Sequence, residues 1–203
     1  MFQDYSTFII FFTATITLNL IPGTDVMFIA SQSLIDKRHG ILAALGISVG
    51  ICIYVLVTAF GVTPLIQNSS LVFNLIRSIG AVYLFYLAIK IFNRKETKLN
   101  VIKSKATKAA FINGIYTTLL NPKIGLFLLT FLPQFVDPLR GKVEHQLLTL
   151  GFYFLVSGTL INLLYALLFI QLRAKIFSKM HVQKWLDRFT AFVFCIIAFK
   201  ILF

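Results

Sequence analysis

Long apolar runs separated by short polar gaps dominate this chain. They extend from Tyr5 to Ser31, Ile41 to Ile66, Leu71 to Phe92, Ala109 to Phe135, Leu147 to Gln171 and Phe189 to Phe203. All but the last are near or above the ~20 residues that cross a bilayer as helix. The 203 residues are 58% hydrophobic and 13% charged, with mean hydropathy +0.87, against roughly 45–50% apolar and 25% charged in soluble domains. A chain this small cannot hide so much apolar side chain in one aqueous core. The solvent must be lipid. A lipid solvent requires each span to satisfy its own backbone, so the expected fold class is an all-α polytopic membrane protein with six transmembrane helices.

The last run reaches spanning length only if the stretch from Val182 is included, with Trp185 near the interface and Asp187 and Arg188 at the membrane edge. A re-entrant or interfacial sixth segment is the competing reading. The first run lacks a basic start, carries Asp4 instead, and is longer than a signal-peptide core, so it is expected to remain in the mature protein.

There are 19 Lys and Arg against 7 Asp and Glu, a formal charge of +12. In a soluble domain that balance would point to nucleic acid. Here the cations concentrate in the first, third and fifth gaps, where they face lipid head groups, and no nucleic-acid partner is expected. Basic loops mark the cytoplasmic side, which places both termini outside. Residues 93–108 form a basic cytoplasmic linker, and the segment from Arg173 to Arg188 reads as lying on the membrane surface.

The two sides of that linker resemble each other. Leu20-Ile21-Pro22 corresponds to Leu120-Asn121-Pro122, Ala44-Leu45-Gly46 to Thr149-Leu150-Gly151, and Ala88-Ile89-Lys90 to Ala198-Phe199-Lys200, with an offset growing from 100 through 105 to 110. The expectation is one membrane domain built of two three-helix repeats, residues 1–92 and 109–203. A repeat with an odd number of spans begins its second copy on the opposite face. The copies are then inverted, as in carriers that expose one chamber alternately to each side.

Both repeats break at the matched place. Proline inside a helix removes a hydrogen bond and clashes with the preceding turn, at roughly 3 kcal/mol or more. Pro22-Gly23 interrupts the first span and Asn121-Pro122 the fourth. Paired interruptions point to a transporter binding site, because the freed backbone groups must face protein or a cavity. Beside each break stands a charge, Asp25 and Lys123, at about 2.5–3.5 kcal/mol each if left in lipid. Asp25 suits the start of the half-helix after Gly23, whereas Lys123 at a half-helix start needs an offsetting anion. Asp25 and a cargo carboxylate are the two candidates. Asp25 is also the one deep carboxylate able to carry a coupling proton, with Lys123 the fallback.

Asn19, Asn162 and Tyr165 are candidates for lining the same pocket, with interhelical hydrogen bonding as their alternative role. Gly46 and Gly50 permit close helix contact, within the chain or at a homodimer face. Cys52 and Cys195 sit in apolar runs without metal or redox spacing. No catalytic triad, metal cluster or phosphate-cradling loop is present, so neither an enzyme nor a cofactor is expected.

At Pro22-Gly23-Thr24-Asp25, Gly80-Ala81-Val82-Tyr83-Leu84, Asn121-Pro122-Lys123 and Phe131-Leu132-Pro133-Gln134-Phe135, the chain closely resembles the LysE/RhtB family of bacterial amino-acid exporters. It departs at Thr24, where that family usually shows a second proline. The resemblance implies a bacterial inner-membrane carrier exporting amino acids or close derivatives, by proton exchange. It also implies that Pro22, Gly23, Asp25, Asn121, Pro122 and Lys123 form the core of the site; Thr24, as the departure, leaves the break at Pro22 in place and offers a further hydroxyl contact to cargo. The rival expectation is a non-transporting membrane protein, such as an assembly factor or a redox relay through Cys52 and Cys195.

Overall fold

A computed structural model of the chain describes residues 5–68, 70–93 and 107–172, with positions 188, 191, 192, 195 and 199 beyond them. All regular structure among the described residues is helical. The first apolar run forms α1 (Tyr5–Leu20) and α2 (Thr24–Ser33), bent against each other by 46°. The second and third runs form α3 (Lys37–Asn68) and α4 (Ser70–Phe92). The fourth forms α5 (Thr107–Leu119) and α6 (Pro122–Phe131), bent by 52°, and ends in a 3-10 turn at Leu132–Phe135. The fifth is α7 (Val143–Leu172). α3 and α7 are each long and apolar enough to cross a membrane, and so is each bent pair taken together.

This is the all-α membrane architecture expected from the apolar runs, with the first and fourth helices broken. The expected sixth span lies mostly outside the described residues, as do the basic stretches 94–106 and 173–187.

Packing crosses between the two halves of the chain. α3 runs against both α5 and α7, α2 sits among α3, α5 and α7, and α4 packs on α6. The α3–α5 crossing is a contact of backbones. A Cβ on Gly46 would fall 3.2 Å from the Cα of Gly114, one on Gly114 would fall 2.6 Å from the carbonyl oxygen of Ala43, and one on Gly50 would fall 2.6 Å from the Cβ of Thr118. Thr118 Oγ1 adds a hydrogen bond to the carbonyl of Ile47 at 3.3 Å. Small residues let helices approach in this way where no hydrophobic force drives them together. Gly46 and Gly50 of α3 therefore serve a contact inside the chain.

An aromatic column joins α1, α6 and α7. Phe127 stacks on Phe131 at 4.3 Å between ring centroids, Phe131 meets Phe135 at 4.6 Å, Phe135 meets Phe11 of α1 at 5.3 Å, and Phe127 meets Phe154 of α7 at 5.6 Å. Pairs of this geometry contribute about 0.5–1.5 kcal/mol each beyond area burial. The column anchors α6 beside the break in its own span.

Candidate functional site

The break in the first span follows from one missing hydrogen. Pro22 has no backbone N–H, and its ring would clash with the carbonyl four residues earlier, that of Leu18. α1 therefore stops at Leu20, and its last carbonyls need other donors. α2 restarts after Gly23, whose φ of −109° and ψ of −164° are extended. The glycine leaves space for the charged pair and is not demanded by φ, because a Cβ there would overlap Asp25 Oδ1 and lie 3.1 Å from Lys123 Nζ.

The fourth span breaks by a different local device. Asn121 is the N-cap of α6, and its Oδ1 accepts the backbone N–H of Lys123 at 3.0 Å. Pro122 occupies the first helical position, where a missing N–H is harmless and its fixed φ suits the helix. The carbonyl of Thr118, which Pro122 cannot serve, accepts instead from the N–H of Asn121 at 2.9 Å.

Lys123 bridges the two breaks. Its Nζ donates to the carbonyls of Leu18 and Ile21, each at 3.3 Å, and stands 4.0 Å from Asp25 Oδ1. The side chains are 14% and 6% exposed, respectively. The cation thus starts at the N-terminal end of α6, where it is disfavoured, and extends to the C-terminal end of α1, where the helix dipole favours it. Asp25 is one of the two anions expected to offset Lys123, the other being a cargo carboxylate. The structure adds backbone carbonyls, which composition and spacing do not reveal.

Tyrosines satisfy further carbonyls at both breaks. Tyr165 of α7 donates to the carbonyl of Leu20 at 2.8 Å, and Tyr54 of α3 donates to that of Leu119 at 2.7 Å. In each case the long helix of one half of the chain closes the broken helix of the other. Tyr83 of α4 donates to the carbonyl of Pro122 at 3.0 Å. Gly125 lies beneath the Tyr54 ring, since a Cβ there would fall 2.6 Å from the hydroxyl. Sequence reasoning missed Tyr54 and its glycine. The available signal was a hydroxyl-bearing aromatic in an otherwise apolar span.

The structure brings Pro22, Gly23, Asp25, Asn121, Lys123 and Tyr165 together around the two breaks. Asp25 is 4% exposed and Asn121 5%. Thr24 and Pro122 are exposed. Asn19 donates to Ser157 Oγ of α7 at 3.1 Å, an interhelical bond one turn before the break. Asn162 is buried on α7, three residues before Tyr165. Away from the breaks, Leu45, Ser48, Val49, Cys52, Phe111 and Thr159 help line an apolar recess of about 580 Å³, bridged by a hydrogen bond from Thr159 to Ser48 at 2.8 Å. Cys52 and Cys195 are both free thiols.

A buried carboxylate and a partly buried ammonium thus face each other where two interrupted spans meet. The family profile for LysE type translocators matches residues 16–203. The chain belongs to the LysE type translocator family. Among its relatives, the uncharacterized membrane protein YrhP of Bacillus subtilis is 31% identical over 144 residues, covering 65% of this chain and 68% of the relative. An uncharacterized membrane protein of Vibrio cholerae is 29% identical over 152 residues, covering 73% and 74%. A leucine efflux protein of Salmonella choleraesuis is 31% identical over 143 residues, covering 68% of each. No solved structure matches this LysE type translocator. Membership makes it a multi-pass membrane protein of a translocator family, with the breaks inside the matched region.

Proposed function

We propose that this translocator exports amino acids or close derivatives from the cytoplasm as a secondary carrier, in exchange for protons. The observation that carries the reading is the Asp25–Lys123 pair, a buried carboxylate and a partly buried ammonium held where a broken helix from each half of the chain meets the other. The two halves act as inverted repeats around that point, and rocking of one against the other opens it alternately to each face. Cross-packing of α3 on α5 and of α1 on α7 supports this arrangement. The exposed starts of α2 and α6 attract the cargo carboxylate, while Asp25 receives the cargo ammonium or, between cargoes, the coupling proton. Relatives named as leucine efflux proteins support the amino-acid class and make an apolar zwitterion the first cargo to test. The basic loops favour a bacterial inner-membrane orientation with both termini outside.

Efflux from vesicles loaded with radiolabelled leucine and related amino acids, with and without a proton gradient, tests the reading. Wild-type protein is expected to accelerate efflux when protons can exchange, and Asp25→Asn to stop it while still inserting. Full transport by Asp25→Asn would remove that residue from the mechanism. A relay or assembly factor predicts no efflux at all, and a relay predicts loss of function on replacing Cys52 or Cys195.

A further inference from the structure

The end of α1 is built as a receptor for a primary ammonium. The carbonyls of Leu18 and Ile21 converge on one nitrogen at 3.3 Å each, at the end of a helix that carries partial negative charge. Asp25 faces the same nitrogen at 4.0 Å, beyond hydrogen-bond length. Its Oδ1 is buried and makes no hydrogen bond among the described residues. The wall between them is Gly23, where any side chain would intrude on both charges. Two residues before Lys123, the Asn121 amide is oriented by its cap bond, which leaves Nδ2 as a buried donor with no hydrogen bond among the described residues.

We propose that these two carbonyls and the Asp25 carboxylate form a binding site for a primary alkylammonium, occupied at rest by Lys123 and taken over in transport by the cargo's own amine. Lys123 and an amino acid present the same chemistry there, an alkyl –NH3⁺ with three donors and no acceptor. When cargo takes the place, Lys123 and Asn121 Nδ2 are the nearby donors for its carboxylate. The cargo identity rests on the export reading above. The ammonium site rests on the geometry alone.

Removing the resident amine tests it without any amino acid. Lys123→Met leaves Asp25 and the carbonyls uncompensated in a space of similar shape. In nanodiscs, propylammonium is expected to raise the melting temperature of this variant by roughly 5 °C or more at saturation. Tetramethylammonium, which has no N–H, is expected to leave it unchanged at equal ionic strength. Wild-type protein should not distinguish the two salts, and adding Asp25→Asn to Lys123→Met should abolish the rescue. An equal response to both cations, or to neither, overturns the proposal. If Lys123→Met does not fold alone, cell-free synthesis into nanodiscs with propylammonium is expected to restore folded protein, and no recovery there overturns it equally. Selective rescue without amino-acid efflux by wild-type vesicles would uphold the ammonium site and refute the export reading.

Discussion

Lys123 joins Ile21 at the acceptor that Pro22 cannot serve, the carbonyl of Leu18. In an uninterrupted helix, residue 22 would donate its N–H to the carbonyl of Leu18, four residues back. Proline has no hydrogen to give, so that oxygen accepts from the N–H of Ile21 and from Lys123 Nζ, each at 3.3 Å. A defect in one half of the chain is thus completed by a charge from the other. The charge is satisfied only where the two breaks meet, which makes the pairing specific.

Pro22→Leu restores the missing donor and lets α1 continue toward α2, in competition with Lys123. The expected result is a melting temperature equal to or above that of the wild type, with efflux reduced at least about tenfold, equivalent to ~1.4 kcal/mol on the transport barrier. Thermal unfolding and vesicle efflux on the same preparation check both. Unchanged efflux would show that the break is not needed for movement.

Gly23→Ala places a Cβ onto Asp25 and Lys123 and is expected to cost about 1–3 kcal/mol through overpacking. Gly61→Ala in α3 is its control. Nothing lies within 4 Å of a Cβ there, and replacing a helical glycine should stabilise by about 0.5–1 kcal/mol. Opposite shifts in unfolding midpoint distinguish close approach from a general effect of glycine.

Tyr54→Phe and Tyr165→Phe each remove the donor to a helix-end carbonyl, those of Leu119 and Leu20. Each is expected to destabilise by about 1 kcal/mol. The double variant measures how far the two breaks are coupled through Lys123: a loss that departs from the sum of the single losses by about 0.5 kcal/mol or more is expected. Chemical unfolding of the single and double variants measures this.

Gly46→Ala or Gly114→Ala forces α3 and α5 apart against backbone atoms that cannot rotate away. Loss of folded yield or a fall of about 1–3 kcal/mol is expected. A neutral outcome would mean that the crossing is looser than described.

Lipid made much of this architecture legible in advance. Apolar length alone located the described spans to within a few residues, as with the run from Leu147 to Gln171 and α7 at Val143–Leu172, because a bilayer fixes how long an apolar helix must be. The breaks were readable because proline is incompatible with a helix interior wherever it occurs. The contacts of Lys123 with Leu18 and Ile21 were not, since carbonyl acceptors carry no residue signature and depend on how two spans cross. Gly46 showed that a close contact existed but not with which helix. Only the packing of α3 on α5 gives Gly114 and Thr118 as the partners. Tyr54 was silent for a related reason. Its hydroxyl gains meaning only beside the open end of α5.

The reach of Lys123 also orders events at the ribosome. The N-terminal half emerges first and enters the membrane with the carbonyls of Leu18 and Ile21 still lacking this donor, and its lysine arrives only when the fourth span is synthesised. Until then the nascent chain holds an incomplete helix end, and the fourth span in turn delivers an ammonium that has no place in lipid by itself. Each half thus supplies what the other lacks, and two fragments divided between Asn93 and Thr107 are expected to accumulate only when produced together, as measured by folded yield.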